Sequence, residues 1–197
     1  MNYYIADMHF GHGNILRYDS RPWDDLTTME NEMIHLWNGK VSDCDDVYIL
    51  GDFCWGKPDD WRRILPQLNG KKHLITGNHD LKKFPADVLS LFAERPVPCK
   101  EIKDGCYKVI LCHYPMISYN NDGDPNTLMF YGHVHNTVEF SAVTESVKTM
   151  KECCEANGFD YCGRLYNCWC GFFGWAPASL EEILSSKDAQ GGLFFKE

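Results

Sequence analysis

A chain of 197 residues, 44% hydrophobic and 24% charged, is long enough for one domain with a substantial core and too short for two comfortable ones. Its net charge of −9 argues against a broad basic surface for duplex nucleic acid, but not against a phosphate substrate, because a metal centre reverses the field locally. No apolar run is long enough to span a bilayer, and Met1-Asn2-Tyr3-Tyr4-Ile5-Ala6-Asp7 enters a strand-like pattern without a basic or apolar leader, so a single cytoplasmic domain over residues 1–197 is expected.

Residues 2–6 read as a first strand, ending at Asp7-Met8-His9 and the glycine-punctuated loop Phe10-Gly11-His12-Gly13-Asn14. Ile15 to Tyr18 make one helical turn. Thr27 and Glu30 are spaced as a capping box, and Met29, Met33, Leu36, Trp37 and Val41 recur at helical spacing, which predicts a helix to about Lys40. Residues 46–50 are β-rich and end at Gly51-Asp52. Residues 58–68 read as a helix with Trp61, Ile64, Leu65 and Leu68 on one face. A strand over 71–76 runs into Gly77-Asn78-His79-Asp80, where glycine allows the sharp exit. A short helix is expected at 85–91, then an extended stretch over 92–102 in which Pro96 and Pro98 mark an edge or a bend.

Residues 107–112 form a clear strand ending at His113-Tyr114-Pro115. Residues 128–131 form a buried strand ending at Gly132-His133-Val134-His135. Residues 144–157 read as a helix stopped by Gly158, 164–170 as a further strand, and Ser179-Leu180-Glu181-Glu182 as a second capping box. Five of the ten cysteines lie between Cys153 and Cys170, without a Cys-x-x-Cys spacing, so reduced and mostly buried thiols are expected. Strands separated by helices argue for an α/β domain, and the strand-rich part after residue 100 favours a mixed two-sheet core over a simple doubly wound sheet.

Asp7 and His9, Asp52, Asn78, His113, and His133 and His135 each fall just after a hydrophobic strand, where sites form in open α/β sheets. Asp7 and His9 are two apart, as are His133 and His135, so in extended backbone each pair aims to one side. The donors are oxygen and nitrogen with no thiolate, which suits Mn, Fe, Zn or Ni. Seven ligands are too many for one ion and suit two divalent ions sharing a carboxylate. His79 can carry a proton near neutral pH. Asp80 has an alternative reading as a helix N-cap.

In this order, Asp7-Met8-His9, Gly51-Asp52, Gly77-Asn78-His79-Asp80, His113 and Gly132-His133-Val134-His135 resemble the motifs of the calcineurin-like metallophosphoesterase superfamily. The resemblance implies a four-layer αββα sandwich of two mixed β-sheets flanked by helices. One metal would be held by Asp7, His9, Asp52 and His135, and the other by Asp52, Asn78, His113 and His133. A bridging hydroxide would attack phosphorus, His79 would protonate the leaving oxygen, and Asp80 would orient His79 or bind nearby backbone. The segment from Asp7 to Ile15 also looks like a small bacterial and phage subgroup, which makes His12, Asn14, Arg17 and Arg21 candidate substrate contacts.

The function implied is a dinuclear-metal phosphoesterase, manganese being the leading ion, that acts on a small phosphate ester such as a nucleotide and on diesters before monoesters. Two alternatives stand beside it. One is a catalytically silent scaffold, as in the retromer subunit of this fold, and the other is a nuclease on single-stranded nucleic acid. Aromatic residues of segment 153–177, among them Trp169, Phe172, Phe173 and Trp175, either overhang the crevice or pack in the core.

Overall fold

The computed structural model describes residues 1–190. In chain order the elements are β1 (Asn2–Ile5), α1 (Ile15–Tyr18), α2 (Leu26–Lys40), β2 (Asp46–Leu50), α3 (Pro58–Ile64), β3 (Lys71–Ile75) and α4 (Ala86–Leu89). Then come β4 (Cys99–Asp104), β5 (Tyr107–Cys112), β6 (Thr127–Tyr131), α5 (Val138–Ala156), β7 (Leu165–Asn167), β8 (Ala178–Ser179) and α6 (Leu180–Ser185). One sheet runs β3-β2-β1-β8 and the other β4-β5-β6-β7. In the first, β8 is the antiparallel edge; in the second, β4 is.

Alternation along the strands builds the layers, because successive side chains leave opposite faces. Ile5, Val47, Ile49 and Leu74 pack outward against Met29, Met33 and Trp37 of α2 and Trp61 of α3. Their neighbours Tyr4, Tyr48, Leu50 and Ile75 point the other way, onto Val109, Leu111, Leu128 and Phe130 of the second sheet. Ile110, Met129 and Tyr131 face outward again, onto Phe140 and Val147 of α5. Three buried layers therefore separate helix, sheet, sheet and helix, the expected αββα sandwich. Past the sheets themselves, Ala6 N–H donates to Cys168 O at 2.9 Å and Cys170 N–H to Ala6 O at 3.1 Å, which ties β1 to the chain leaving β7.

Several boundaries differ from the sequence reading. The cap of α2 is Asp25, whose carboxylate accepts from Thr28 N–H at 2.9 Å, and not Thr27. Glu30, freed from a capping box, turns inward to accept from Gly11 N–H and Arg63. The helix from Pro58 ends at Ile64 and tightens into a 3-10 turn, since Pro66 brings no N–H and disfavours the helical region before it. Capped by Thr137, α5 starts six residues early because Phe140 packs into the outer core, which overrides the β-branched character of that stretch. The strand expected over 164–170 is confined to β7. Ser179 and Glu182 do form their capping box. All ten cysteines are free, but only Cys54, Cys112, Cys168 and Cys170 are buried, fewer than expected. Among the described residues no helix is long and apolar enough to cross a membrane.

Candidate metal centre

Five strands end on one rim: β1 delivers Asp7 and His9, β2 delivers Asp52, β3 residues 77–80, β5 His113, and β6 His133 and His135. The paired residues do not converge through extended backbone, as their spacing suggested. Asp7 (φ 58°), His9 (53°), Asp52 (50°), His133 (73°) and His135 (46°) are all left-handed. Such residues cost about 1–3 kcal/mol each unless their surroundings hold them. Here Asp7 N–H donates to Gly51 O at 3.2 Å, His9 N–H to Asp52 O at 2.9 Å and Gly132 N–H to His113 O at 3.0 Å. The glycines make room for the ligands. A Cβ on Gly77 would lie 2.2 Å from Asp52 Oδ1, and one on Gly51 would lie 2.3 Å from His113 Nδ1.

Two groups of donors result, Asp7 with His9 and His135, and Asp52 with His113 and His133. Asp52 stands between them, Oδ2 3.7 Å from His9 Nε2 and Oδ1 3.6 Å from His113 Nε2. The hydrogen bonds show that the donors suit cations. His113 Nδ1 lies 2.8 Å from Leu50 O, a carbonyl that only accepts, so this nitrogen carries the proton. Nε2 is then a bare lone pair facing another acceptor, Asn78 Oδ1, at 2.9 Å. His135 Nδ1 likewise donates to Asp19 Oδ1 at 2.7 Å, which turns its Nε2 lone pair toward His9 Nε2 at 3.1 Å. Nitrogens each about 2.1 Å from a shared ion stand about that far apart. Buried His9 Nδ1 has no partner. A divalent cation in each group would engage these nitrogen and oxygen lone pairs.

Burial sets the charge states of these groups. It holds the imidazoles of His9, His113 and His133 below the usual histidine range, so they are neutral and ready to ligate. Burial opposes protonation of His135 as well, but the Asp19 hydrogen bond and the Asp7 charge outweigh it and raise its pKa. Asp7 is pushed up to about 7 by burial, with the Asp52 charge adding to the shift and His135 opposing it.

His79 is placed at the mouth. Its N–H donates to Asp52 Oδ1 at 2.9 Å, and its ring packs on Trp55 with centroids 4.2 Å apart. The carboxylate of Asp80 does not reach His79, nor does it cap a helix. It accepts from the backbone N–H groups of Gly77 (2.7 Å), Phe53 (3.0 Å) and Asp52 (3.1 Å), pinning two ligand loops together. This matches the backbone-binding alternative and removes the N-cap reading.

Beside the donors lies a cleft of about 490 Å³ lined by His12, Asn14, Tyr18, Trp55, His79 and Glu139, among others. His12 and Asn14 are thus where a substrate contact would be, although His12 also stacks on Trp55 at 4.2 Å. Arg17 lies outside that lining, its guanidinium 5.6 Å from the Tyr18 ring. Arg21 is corrected outright as a substrate contact: its side chain is buried, donating to Asp7 O, Met8 O and Asp19. It braces the β1 turn from below, and Trp175 covers it at 5.0 Å. Trp169 stacks behind His135 at 6.1 Å and is itself buried, so these aromatics back the site instead of overhanging it.

Asp19, Trp55 and Asn167 escaped the sequence reading. Asn167 is fully buried and donates through Nδ2 to His135 O at 2.8 Å. Nothing in its neighbourhood, Leu165-Tyr166-Asn167, marks it as a support of the centre. Trp55 carried one usable sign, an aromatic three residues past the motif Asp52.

No family model matches the chain. The uncharacterized protein MJ1445 of Methanocaldococcus jannaschii is 32% identical over 150 residues, spanning 75% of this chain and 78% of its own. The Gene 66 protein of Mycobacterium phage L5 is 24% identical over 165 residues, 71% of this chain and 79% of its own. Among solved structures, the protein of unknown function AQ665 from Aquifex aeolicus superposes with a TM-score of 0.66 at 26% identity, covering 93% of this chain and 97% of its own. The chain belongs to one family with the M. jannaschii protein, and its αββα sandwich, with Asp, Asn and His motifs clustered in order at the strand ends, is the fold that the resemblance to calcineurin-like metallophosphoesterases implied.

Proposed function

We propose that the chain is a phosphoesterase that works with two divalent cations and prefers diesters. The observation that carries this reading is the pairing of two donor groups across one shared carboxylate, Asp52, with His79 at the mouth. Asp7, His9, Asp52 and His135 would hold one ion, and Asp52, Asn78, His113 and His133 the other. Manganese fits this donor set best, with iron, zinc and nickel next. When bound, such a pair neutralises phosphate charge and makes a water nucleophile available at neutral pH.

The chain's own residues do the rest. His79, held at its N–H by Asp52 and on its ring face by Trp55, delivers a proton to the leaving oxygen, a contribution of about 10²–10⁴-fold. His12 and Asn14 bound the substrate cleft on the α1 side. Among the described residues no Lys or Arg lines that cleft, whereas Glu139 does. Little positive charge beyond the metals is therefore on offer, which suits a singly charged diester better than a doubly charged monoester.

The test is hydrolysis of bis(p-nitrophenyl) phosphate beside p-nitrophenyl phosphate, on stripped protein with and without Mn²⁺. Metal-dependent diester cleavage that falls at least 100-fold in His79→Ala, with metal content unchanged, is expected. Cleavage of the monoester alone would sink the diester preference. Silence on both with two ions bound would favour a scaffold.

A further inference from the structure

The chain leaves His79 through Leu81-Lys82-Lys83, which the metal centre does not use. Together with Arg95, the two lysines line a groove of about 680 Å³ that begins at Gly77 and Asn78. All three cations are exposed, and among the described residues none has an ion-pair partner. By contrast Arg62 and Arg63, a short way upstream, are each bound to carboxylates. Among the described residues the one acid lining the groove is Asp80, whose oxygens are taken by backbone N–H groups. A molecule of net charge −9 thus carries a concentrated, unneutralised positive patch abutting a ligand of the centre. Between the cations the walls are apolar, with Leu81 and Phe84 among them.

We infer that this groove binds a second phosphate of the substrate, the next one along a short single strand of nucleic acid whose reacting diester lies at the metal centre. The inference rests on the phosphoesterase reading and narrows its substrate class. Alternating charge and apolar wall suits a strand, in which phosphates alternate with sugars and flat bases. A bare polyphosphate would leave Phe84 and Leu81 without a role. The acidic remainder of the surface limits recognition to the few nucleotides that the groove covers, because tracking a long strand takes a continuous basic path.

The experiment is fluorescence anisotropy of fluorescein-labelled hexathymidylate, with metal-free protein in EDTA, over a salt series. Wild type is expected to bind at low salt. A Lys82→Ala, Lys83→Ala, Arg95→Ala triple variant should bind at least 10-fold more weakly, with the slope of log K against log salt reduced by at least about 0.7, as for one lost single-strand phosphate contact. Lys82→Glu alone should also weaken binding. Unlabelled hexathymidylate should displace the probe at lower concentration than tripolyphosphate. No binding by wild type, equal binding by the triple variant, or equal displacement by tripolyphosphate would overturn the inference. Wild-type turnover of bis(p-nitrophenyl) phosphate, which has a single phosphate, is measured in parallel without EDTA and with Mn²⁺ added. Its absence with strand binding intact overturns the phosphoesterase reading and reduces the groove to a strand-binding site. Its presence without strand binding overturns the groove alone.

Discussion

Asp19 takes Nδ1–H of His135 on one oxygen and two N–H groups of Arg21 on the other. The imidazole is thereby locked with Nε2 as its lone-pair atom, and partners of this kind matter to metal affinity nearly as much as the ligands do. Asp19→Asn should weaken binding at the Asp7 group about 10- to 100-fold and leave the Asp52 group alone, read by titration of stripped protein with Mn²⁺. An unchanged first affinity would show that His135 needs no such support. Trp55 acts on geometry instead of charge. Although 41% exposed, it has His12 and His79 each packed at 4.2 Å. Trp55→Leu should lower kcat on a diester roughly 10- to 100-fold through misplacement of His79, with metal content and KM little changed. A change confined to KM would make Trp55 a substrate contact.

Turns set the strand ends to their task, and here glycine and Asp80 do what no ligand does. Gly77→Ala drives a methyl into Asp52 Oδ1, so the folded variant should lose an ion by elemental analysis. Gly13→Ala, which meets no atom within 4 Å, should retain both. Asp80→Ala strands three backbone donors and should cost at least about 3 kcal/mol in chemical denaturation. At this scale the sequence was partly legible. Hydrophobic runs and the motifs that close them located β2 and β5 to the residue, because a strand buried on both faces reads as an unbroken apolar stretch. The left-handed state of Asp7, His9, Asp52, His133 and His135 was invisible. It is imposed by bonds from other strands, and none of these residues is the glycine that would announce it. The two-residue β8 was missed because only its pairing with β1 makes it a strand.

In the whole molecule, burial at the strand-end rim holds two carboxyls in their protonated form well above the usual range. Asp7 and Asp80 keep their protons to about pH 7 in the fold but only to 3.8 as free carboxyls. Between those values these two groups bind more protons in the folded chain than in the unfolded one. Their contribution is therefore present at low pH and is lost as pH rises through about 7. Depressed groups such as Asp19 and Glu94 act in the opposite sense, but below the ordinary carboxylate range. The buried imidazoles of His9, His113 and His133 act against this up to the ordinary histidine range. A cation at Asp7 must displace its proton, so added Mn²⁺ should raise Tm more at pH 8 than at pH 5. Equal shifts in scanning fluorimetry at the two pH values would contradict this. The sandwich itself was legible from the motif order, whereas the packing of the aromatic segment was not. Trp169 and Trp175 find their places only against His135 and Arg21, which are distant in sequence.

Both donor groups straddle the two sheets: Asp7 and His9 come from one and His135 from the other, as do Asp52 on one side and His113 with His133 on the other. Neither half of the chain can complete a coordination sphere alone. A spectroscopically visible ion such as Co²⁺, added during refolding, would stay silent through the formation of each sheet and take on its protein-bound spectrum only when they dock. The ion thus reports the docking of the two sheets.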